Sequence, residues 1–164
     1  MEPLFRTETE YTYEKYAAYC KMIWNQIGNM KRSIIWTDAA LVIVSLLMIF
    51  MKEYKLAVLF FTAAVVFPAV LYFRMNRQMK KAWESNKAAQ GIVSKFAFYK
   101  EYVEQNNPVG TSKVKYEELF DIVEGREAFY LMIANNQGFI IDKAKCSEEL
   151  QHFIREQKER RKEK

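Results

Sequence analysis

Two stretches decide the fold: Ile34–Met51, IIWTDAALVIVSLLMIFM, and Leu56–Phe73, LAVLFFTAAVVFPAVLYF. Asp38 is the only charged side chain in the first, and the second has no charge at all. At 1.5 Å per helical residue each extends roughly 27 Å, about the hydrocarbon thickness of a bilayer. The core helix of a water-soluble domain is usually shorter and keeps a polar stripe. Both windows therefore predict transmembrane helices. The intervening Lys52-Glu53-Tyr54-Lys55 leaves room only for a tight turn, which makes the two helices antiparallel neighbours.

The flanks predict an orientation, because Lys and Arg in short loops stay on the cytoplasmic side. Lys31 and Arg32 precede the first window, and Arg74, Arg77, Lys80 and Lys81 follow the second, whereas Lys52 and Lys55 in the loop are partly balanced by Glu53. Both termini are expected in the cytoplasm, with these six outer cations as anchors. Trp36, Tyr54 and Tyr72 fall at the window ends, where amphipathic rings favour headgroups. No hydrophobic run precedes Ile34, so no cleavable signal is expected. Asp38 is the one intramembrane polar site to weigh. It reads as an ion or proton site, or, preferably, as a carboxylate near the interface that supports the first helical turn. Pro68 should bend the second helix.

The whole chain has 164 residues, 51% apolar and 27% charged, with a formal charge of +5. Outside the windows little remains beyond one small domain, which excludes a large multidomain enzyme. Two cysteines, Cys20 and Cys146, make neither a disulfide framework nor a C-x-x-C pair, as expected in a reducing compartment.

Before the hairpin, Leu4–Tyr11 alternates weakly and is expected to add a strand to a sheet made by the C-terminal half. A helix opens after Thr12, with Tyr13, Tyr16, Cys20, Ile23, Trp24 and Ile27 on one face. It would lie in the headgroups or, slightly better, pack on the domain. Arg74–Ala89 should continue the second helix until Gly91. Strand-like runs follow. Phe96, Phe98 and Tyr99 lead into Tyr102–Gln105, a strong turn signal occupies Asn106–Gly110, and further runs cover Thr111–Tyr116, Leu119–Val123, Ala128–Ala134 and Phe139–Ile141. Glu124-Gly125-Arg126 and Asn135–Gly138 read as turns, the second closing a hairpin. Ser147 can cap a last helix with Leu150, Phe153 and Ile154 on its apolar face, and 158–164 reads as a frayed tail. The expected fold is an α+β membrane protein, divided as 1–33, 34–73, 74–94, 95–157 and 158–164. It joins an N-terminal strand and amphipathic helix, a transmembrane hairpin, a basic juxtamembrane helix, a small antiparallel-sheet domain with a C-terminal helix, and a charged tail.

The runs Phe98–Tyr102, Ser112–Leu119, Ile122–Glu124, Phe129–Ile133 and Gly138–Lys143 resemble the YcxB-like family of bacterial membrane proteins. That resemblance implies two spans preceded by a strand and helix, and a C-terminal cytoplasmic domain of pleckstrin-homology (PH)-like character at 95–157. It also implies a multi-pass protein of the bacterial cytoplasmic (inner) membrane. One departure is visible. The family pattern after the last strand resembles Ile-Pro-Lys and then an aromatic residue, whereas Ile141-Asp142-Lys143 stands here and Cys146 replaces the aromatic. The family supplies no catalytic residues to carry over.

The residues themselves supply no catalytic constellation. The single His152 has no clustered ligands for zinc. The adjacent pairs Glu117-Glu118 and Glu148-Glu149 point different ways. With only five glycines there is no phosphate-loop pattern. Neither catalytic residues, cofactor nor metal is expected. The basic residues already account for topology and contact with anionic lipid, so no nucleic acid is expected as a partner. The bilayer and a protein are, and a homo-oligomer stays open. The leading expectation is a non-enzymatic inner-membrane protein whose cytoplasmic domain binds a protein partner or regulates a membrane process. The alternatives are an immunity or resistance protein against a membrane-active toxin or peptide, and an oligomeric pore or transporter component built around Asp38.

Overall fold

A computed structural model describes residues 2–27 and 30–162; the side chains of residues 26, 27, 30, 31 and 162 are not described. The chain forms two compact units, Trp24–Ser85 and the combination of Met1–Ile23 with Asn86–Lys164.

The first unit is a helical hairpin. Helix α2, Met30–Phe50, and helix α3, Tyr54–Ser85, are each long and apolar enough to cross a membrane, and only 6% and 11% of their apolar windows are buried. Small and hydroxyl residues form the contact between them: Ser45, Ala57 and Ala64 are buried, and Ser45 Oγ donates to Ala57 O at 2.9 Å. Small side chains let helices approach where burial from water supplies no drive. The turn is a left-handed cap without glycine. Lys52 has φ 62°, Lys52 N donates to Ile49 O and Glu53 N to Met48 O, the pattern that satisfies the last carbonyls of a helix. Helix α3, 32 residues long, measures about 48 Å, which exceeds a hydrocarbon core by several turns. It ends at Ser85 and a separate 3-10 turn covers Lys87–Ala89, so the helix expected to Ala89 is interrupted at Asn86.

The second unit is α+β. Strands β1 (Phe5–Glu10), β2 (Val93–Phe98), β3 (Tyr102–Asn107) and β4 (Gly110–Lys115) form one antiparallel sheet in that order. Strands β5 (Asp121–Glu124), β6 (Ala128–Ala134) and β7 (Gln137–Asp142) form another, followed by helix α4, Glu148–Lys162. The strand expected near the N-terminus does join the C-terminal sheet. β1 pairs β2 from Phe5↔Phe98 to Glu10↔Val93, so the hairpin is inserted between two neighbouring strands.

The core of this unit gathers Phe98, Val103, Ile122, Phe129, Leu131, Ile141, Leu150 and Ile154, all essentially inaccessible. Strand β6 is buried on both faces, which is why its sequence runs apolar without alternation. Phe129 and Leu131 enter the core, while Tyr130 meets Tyr19 of helix α1 (Tyr13–Met22) at 5.7 Å. Thr12 caps α1 as expected, its Oγ1 accepting from Lys15 N at 3.4 Å. Its buried residues are Ala17, Tyr19 and Met22, and Tyr13 is exposed. The face expected from Tyr13, Tyr16 and Cys20 is therefore rotated, because Tyr19 rather than Tyr13 packs its ring, tilted, on Tyr130 of β6.

Three turns differ in legibility. Gly125, in the β5–β6 turn, sits where a Cβ would meet Tyr130 Cε2 at 2.8 Å, and Gly138, inside β7 just past the Asn135-Asn136 turn, where one would meet Leu131 O at 2.6 Å, so both need glycine for close approach. The β2–β3 turn at Lys100-Glu101 carries no such marker; Tyr99 N donates to Tyr102 O and the two rings stack at 4.4 Å. Helix α4 begins at the expected cap, Ser147 Oγ accepting from Leu150 N at 3.3 Å. It runs on through Lys162 instead of fraying after 157, since Arg161 Nη2 donates to Phe120 O at 2.6 Å.

Candidate functional site

The polar interactions of the α+β unit concentrate where β7 ends. The inward positions of β1 are Thr7 and Thr9, both buried. Thr7 Oγ1 donates to Lys145 O at 2.8 Å, and Thr9 Oγ1 accepts from Asp142 N at 3.0 Å. Asp142 divides its carboxylate. Oδ1 accepts from Ala144 N at 3.0 Å, capping the 3-10 turn Lys143–Lys145, and Oδ2 pairs with Lys15 Nζ of α1 at 2.6 Å. Cys146 Sγ donates to Asp142 O at 3.1 Å. The corner thus ties the segment before the hairpin to the segment after it.

A second cluster adjoins it. Glu124 accepts from Lys143 Nζ at 2.7 Å and from Arg155 Nη2 at 2.9 Å, and Lys143 also donates to Gly125 O at 2.8 Å. The ring of Phe129 lies 4.6 Å from Lys143 Nζ and 5.6 Å from the Arg155 guanidinium carbon, within cation–π range. Hydrogen bonds from Arg155, then Lys143, hold the Glu124 carboxyl down to about 2. A carboxylate so held is ionised and saturated, which suits a clamp between β5 and α4 and not a general acid.

The segment carrying β3 to β7 and most of α4, together with this order of turns, decides the relationship. Residues 98–157 match the family YcxB-like protein. The resemblance seen in the sequence therefore holds over this segment. Comparison with the curated proteins and with the solved structures gives no match. Within the YcxB-like segment, the departure at Asp142 acquires a physical role. The Asp142 carboxylate supplies both the cap of the 3-10 turn and the partner of Lys15, and Cys146 packs its thiol beside Thr7 at 3.8 Å.

The residues expected as anchors lie along the hairpin. Arg32 and Trp36 are exposed on α2, and Arg74, Arg77, Lys80 and Lys81 are exposed on the last turns of α3. Arg74, Arg77 and Lys81 recur at three- and four-residue steps and share a face, while Lys80 has Glu84 at 3.9 Å as its i,i+4 neighbour. The Lys31 side chain lies outside the described residues. Asp38 requires a correction. Helix α2 starts at Met30, not Ile34, so Asp38 is in its third turn, beyond the reach of the dipole at the helix start. Its Oδ1 is buried with no hydrogen-bond partner among the described residues.

Elsewhere the chemistry is quiet. Burial pushes the Cys20 and Cys146 thiols up, away from the thiolate that a nucleophile needs. Burial, with a hydrogen bond to Cys20, raises the Tyr16 hydroxyl to about 12. His152 is exposed, with Glu156 Oε1 3.6 Å from its Nδ1. Among the described residues no group of three His, Cys, Asp or Glu side chains could hold a metal ion. No local pattern marks the Lys15–Asp142 and Glu124–Arg155 pairs, because each joins distant elements. The one local signal was Gly125 beside Glu124, marking the turn that brings β5 back onto β6.

Proposed function

We propose that the chain is a non-enzymatic protein of the bacterial inner membrane, whose hairpin anchors a cytoplasmic PH-like domain that binds a protein partner or regulates a membrane process. The observation that carries this reading is the outward apolar surface of the hairpin. Phe50 is 87% exposed and Phe73 72%, and an apolar surface this continuous is untenable in water. Anchoring both β1 and β2 to the hairpin fits a domain held at a membrane. The four-stranded sheet, three-stranded sheet and following helix supply the PH-like reading, and that architecture serves many kinds of binding. The basic face of α3 after Phe73 supports a cytoplasmic orientation.

The test is site-specific photocrosslinking in cells. A crosslinker in place of Thr111, exposed on β4, should capture protein, and one in place of Phe61, exposed on α3, should capture lipid. Protein adducts from Phe61 alone would move recognition into the bilayer and favour the immunity class. A second reading, the pore or transporter component, draws on the unpartnered Asp38 Oδ1, since an ionisable group among apolar helices is often functional. Ion flux through reconstituted vesicles that is unchanged by Asp38→Asn would remove it.

A further inference from the structure

An open cleft of about 630 Å³ lies between the β2–β3 turn, the end of β4 and the last turn of α4. It lies at the far end of the four-stranded sheet from Glu10 and Val93, the strand ends that lead to and from the hairpin. Its volume is in the range of small-molecule sites. Lys100, Lys115, Arg160 and Arg161 line it, opposed by two carboxylates, Glu101 and Glu117. Two positive charges are left over, and the nearest internal pair, Lys115 with Glu117, is long at 3.9 Å. The negative end of α4 accounts for cations at Arg160 and Arg161. It does not account for Lys100 and Lys115, which come from other elements.

Arg161 is already positioned. Its Nη2 is fixed on Phe120 O at 2.6 Å, while Nη1 is buried and has no acceptor among the described residues. A shielded guanidinium donor without a partner is costly and invites an acceptor from outside the chain. The buried Tyr116 and Gln157 also line the cleft, and Tyr116 is locked by its hydroxyl donating to Tyr99 O at 3.0 Å.

We propose that this cleft binds a phosphate-bearing small anion. A phosphate dianion balances the surplus charge, and a fixed guanidinium fork matches its oxygens better than a flexible ammonium does. The inference goes beyond the anchored-domain reading and stands without it. The same chemistry is offered by a soluble phosphate compound and by a lipid headgroup.

The test is calorimetric titration of the full chain, in nanodiscs of neutral phosphatidylcholine, with inorganic pyrophosphate. Saturable binding is expected, weakened about tenfold or more by Arg161→Gln. The double change Lys100→Gln with Lys115→Gln, both exposed, should weaken it comparably and keeps the test sound if Arg161→Gln unfolds the last turn of α4. Arg126→Gln with Lys145→Gln removes the same charge elsewhere and should leave binding unchanged. Repeating the titration in nanodiscs containing phosphatidic acid separates the sources: unchanged affinity supports a soluble ligand, and loss of pyrophosphate binding supports a headgroup in the cleft. No saturable binding, or equal weakening by the Arg126/Lys145 pair, overturns the proposal.

Discussion

Phe98 and Phe50 are the same side chain in opposite circumstances, one 0% and the other 87% exposed. The contrast runs through both units. In the α+β unit the large apolar residues turn inward and the polar ones are paired, as at Glu124 and Asp142. In the hairpin the small residues Ala57, Ala64 and Ser45 turn inward, and Leu46, Leu59, Phe61 and Phe73 turn out. The first arrangement is what water drives, since burial of apolar area is the main favourable term. The second is what remains when the surroundings are themselves apolar and helices associate through close contact and hydrogen bonds. On the anchored-domain reading proposed above, one chain carries two solutions to folding, one for each solvent.

The largest test of that contrast compares two phenylalanines. Phe129→Ala empties a site 1% exposed near the start of β6 and should cost about 3–5 kcal/mol, read from amide hydrogen exchange across β6. Phe50→Ala should move the same amides by less than about 0.5 kcal/mol. Comparable effects of the two substitutions would erase the distinction between the units.

A smaller effect is expected at Glu124. Glu124→Gln should lower the stability of the α+β unit by about 1–2 kcal/mol, because Lys143 and Arg155 lose a shared charged acceptor. The pH dependence has a definite sign. The folded carboxyl sits at about 2, below its ordinary 4.5, so its contribution is fully present above about pH 4.5 and is lost as pH falls toward 2. Acid titration of the wild type and of Glu124→Gln, followed by circular dichroism, should converge at the low end. Curves that stay parallel through that window would show that the triad adds nothing.

These pairs also mark the limit of what could be read from sequence. The hairpin was legible because Ile34–Met51 and Leu56–Phe73 need no partner to reveal themselves; length and composition suffice. The strands of the C-terminal half were legible where turn residues stand between apolar runs, at Gly125 and at Asn135-Asn136, and the β2–β3 turn was not, since Lys100-Glu101 rests on a tyrosine stack that only the folded chain assembles. Strand β1 read faintly because, after Phe5, its inward positions are Thr7 and Thr9, held by hydroxyl bonds instead of apolar bulk. The rotation of α1 was set by a contact with Tyr130 in a distant strand. For the same reason the clamps at Asp142 and Glu124 were invisible, each depending on elements brought together from afar.

The seam between the strand before the hairpin and the strands after it is testable at Asp142. Asp142→Ala removes the cap of the 3-10 turn and the Lys15 pair and should cost about 1 kcal/mol. Faster exchange should appear in β1 and α1, with the β3–β4 hairpin unaffected. A uniform change in all strands would mean that β1 is no weaker than the rest. The smallest expected effect is at the hairpin turn and has the opposite sign. A non-glycine residue in the left-handed region costs about 1–2 kcal/mol, against about 0.5–1 kcal/mol for the added freedom of glycine. Lys52→Gly should therefore stabilise the hairpin by roughly 0.5–1 kcal/mol, measured as the midpoint of its unfolding in mixed detergent.

The most direct measurement of the central claim, a cytoplasmic domain split by a membrane hairpin, is cysteine labelling in intact cells. With Cys20 and Cys146 replaced by serine, Lys52→Cys reports the hairpin turn and Ser147→Cys reports the domain. A membrane-impermeant maleimide is expected to label the first from outside and the second only after permeabilisation. Labelling of both from outside, or recovery of the chain in the soluble fraction, would contradict it.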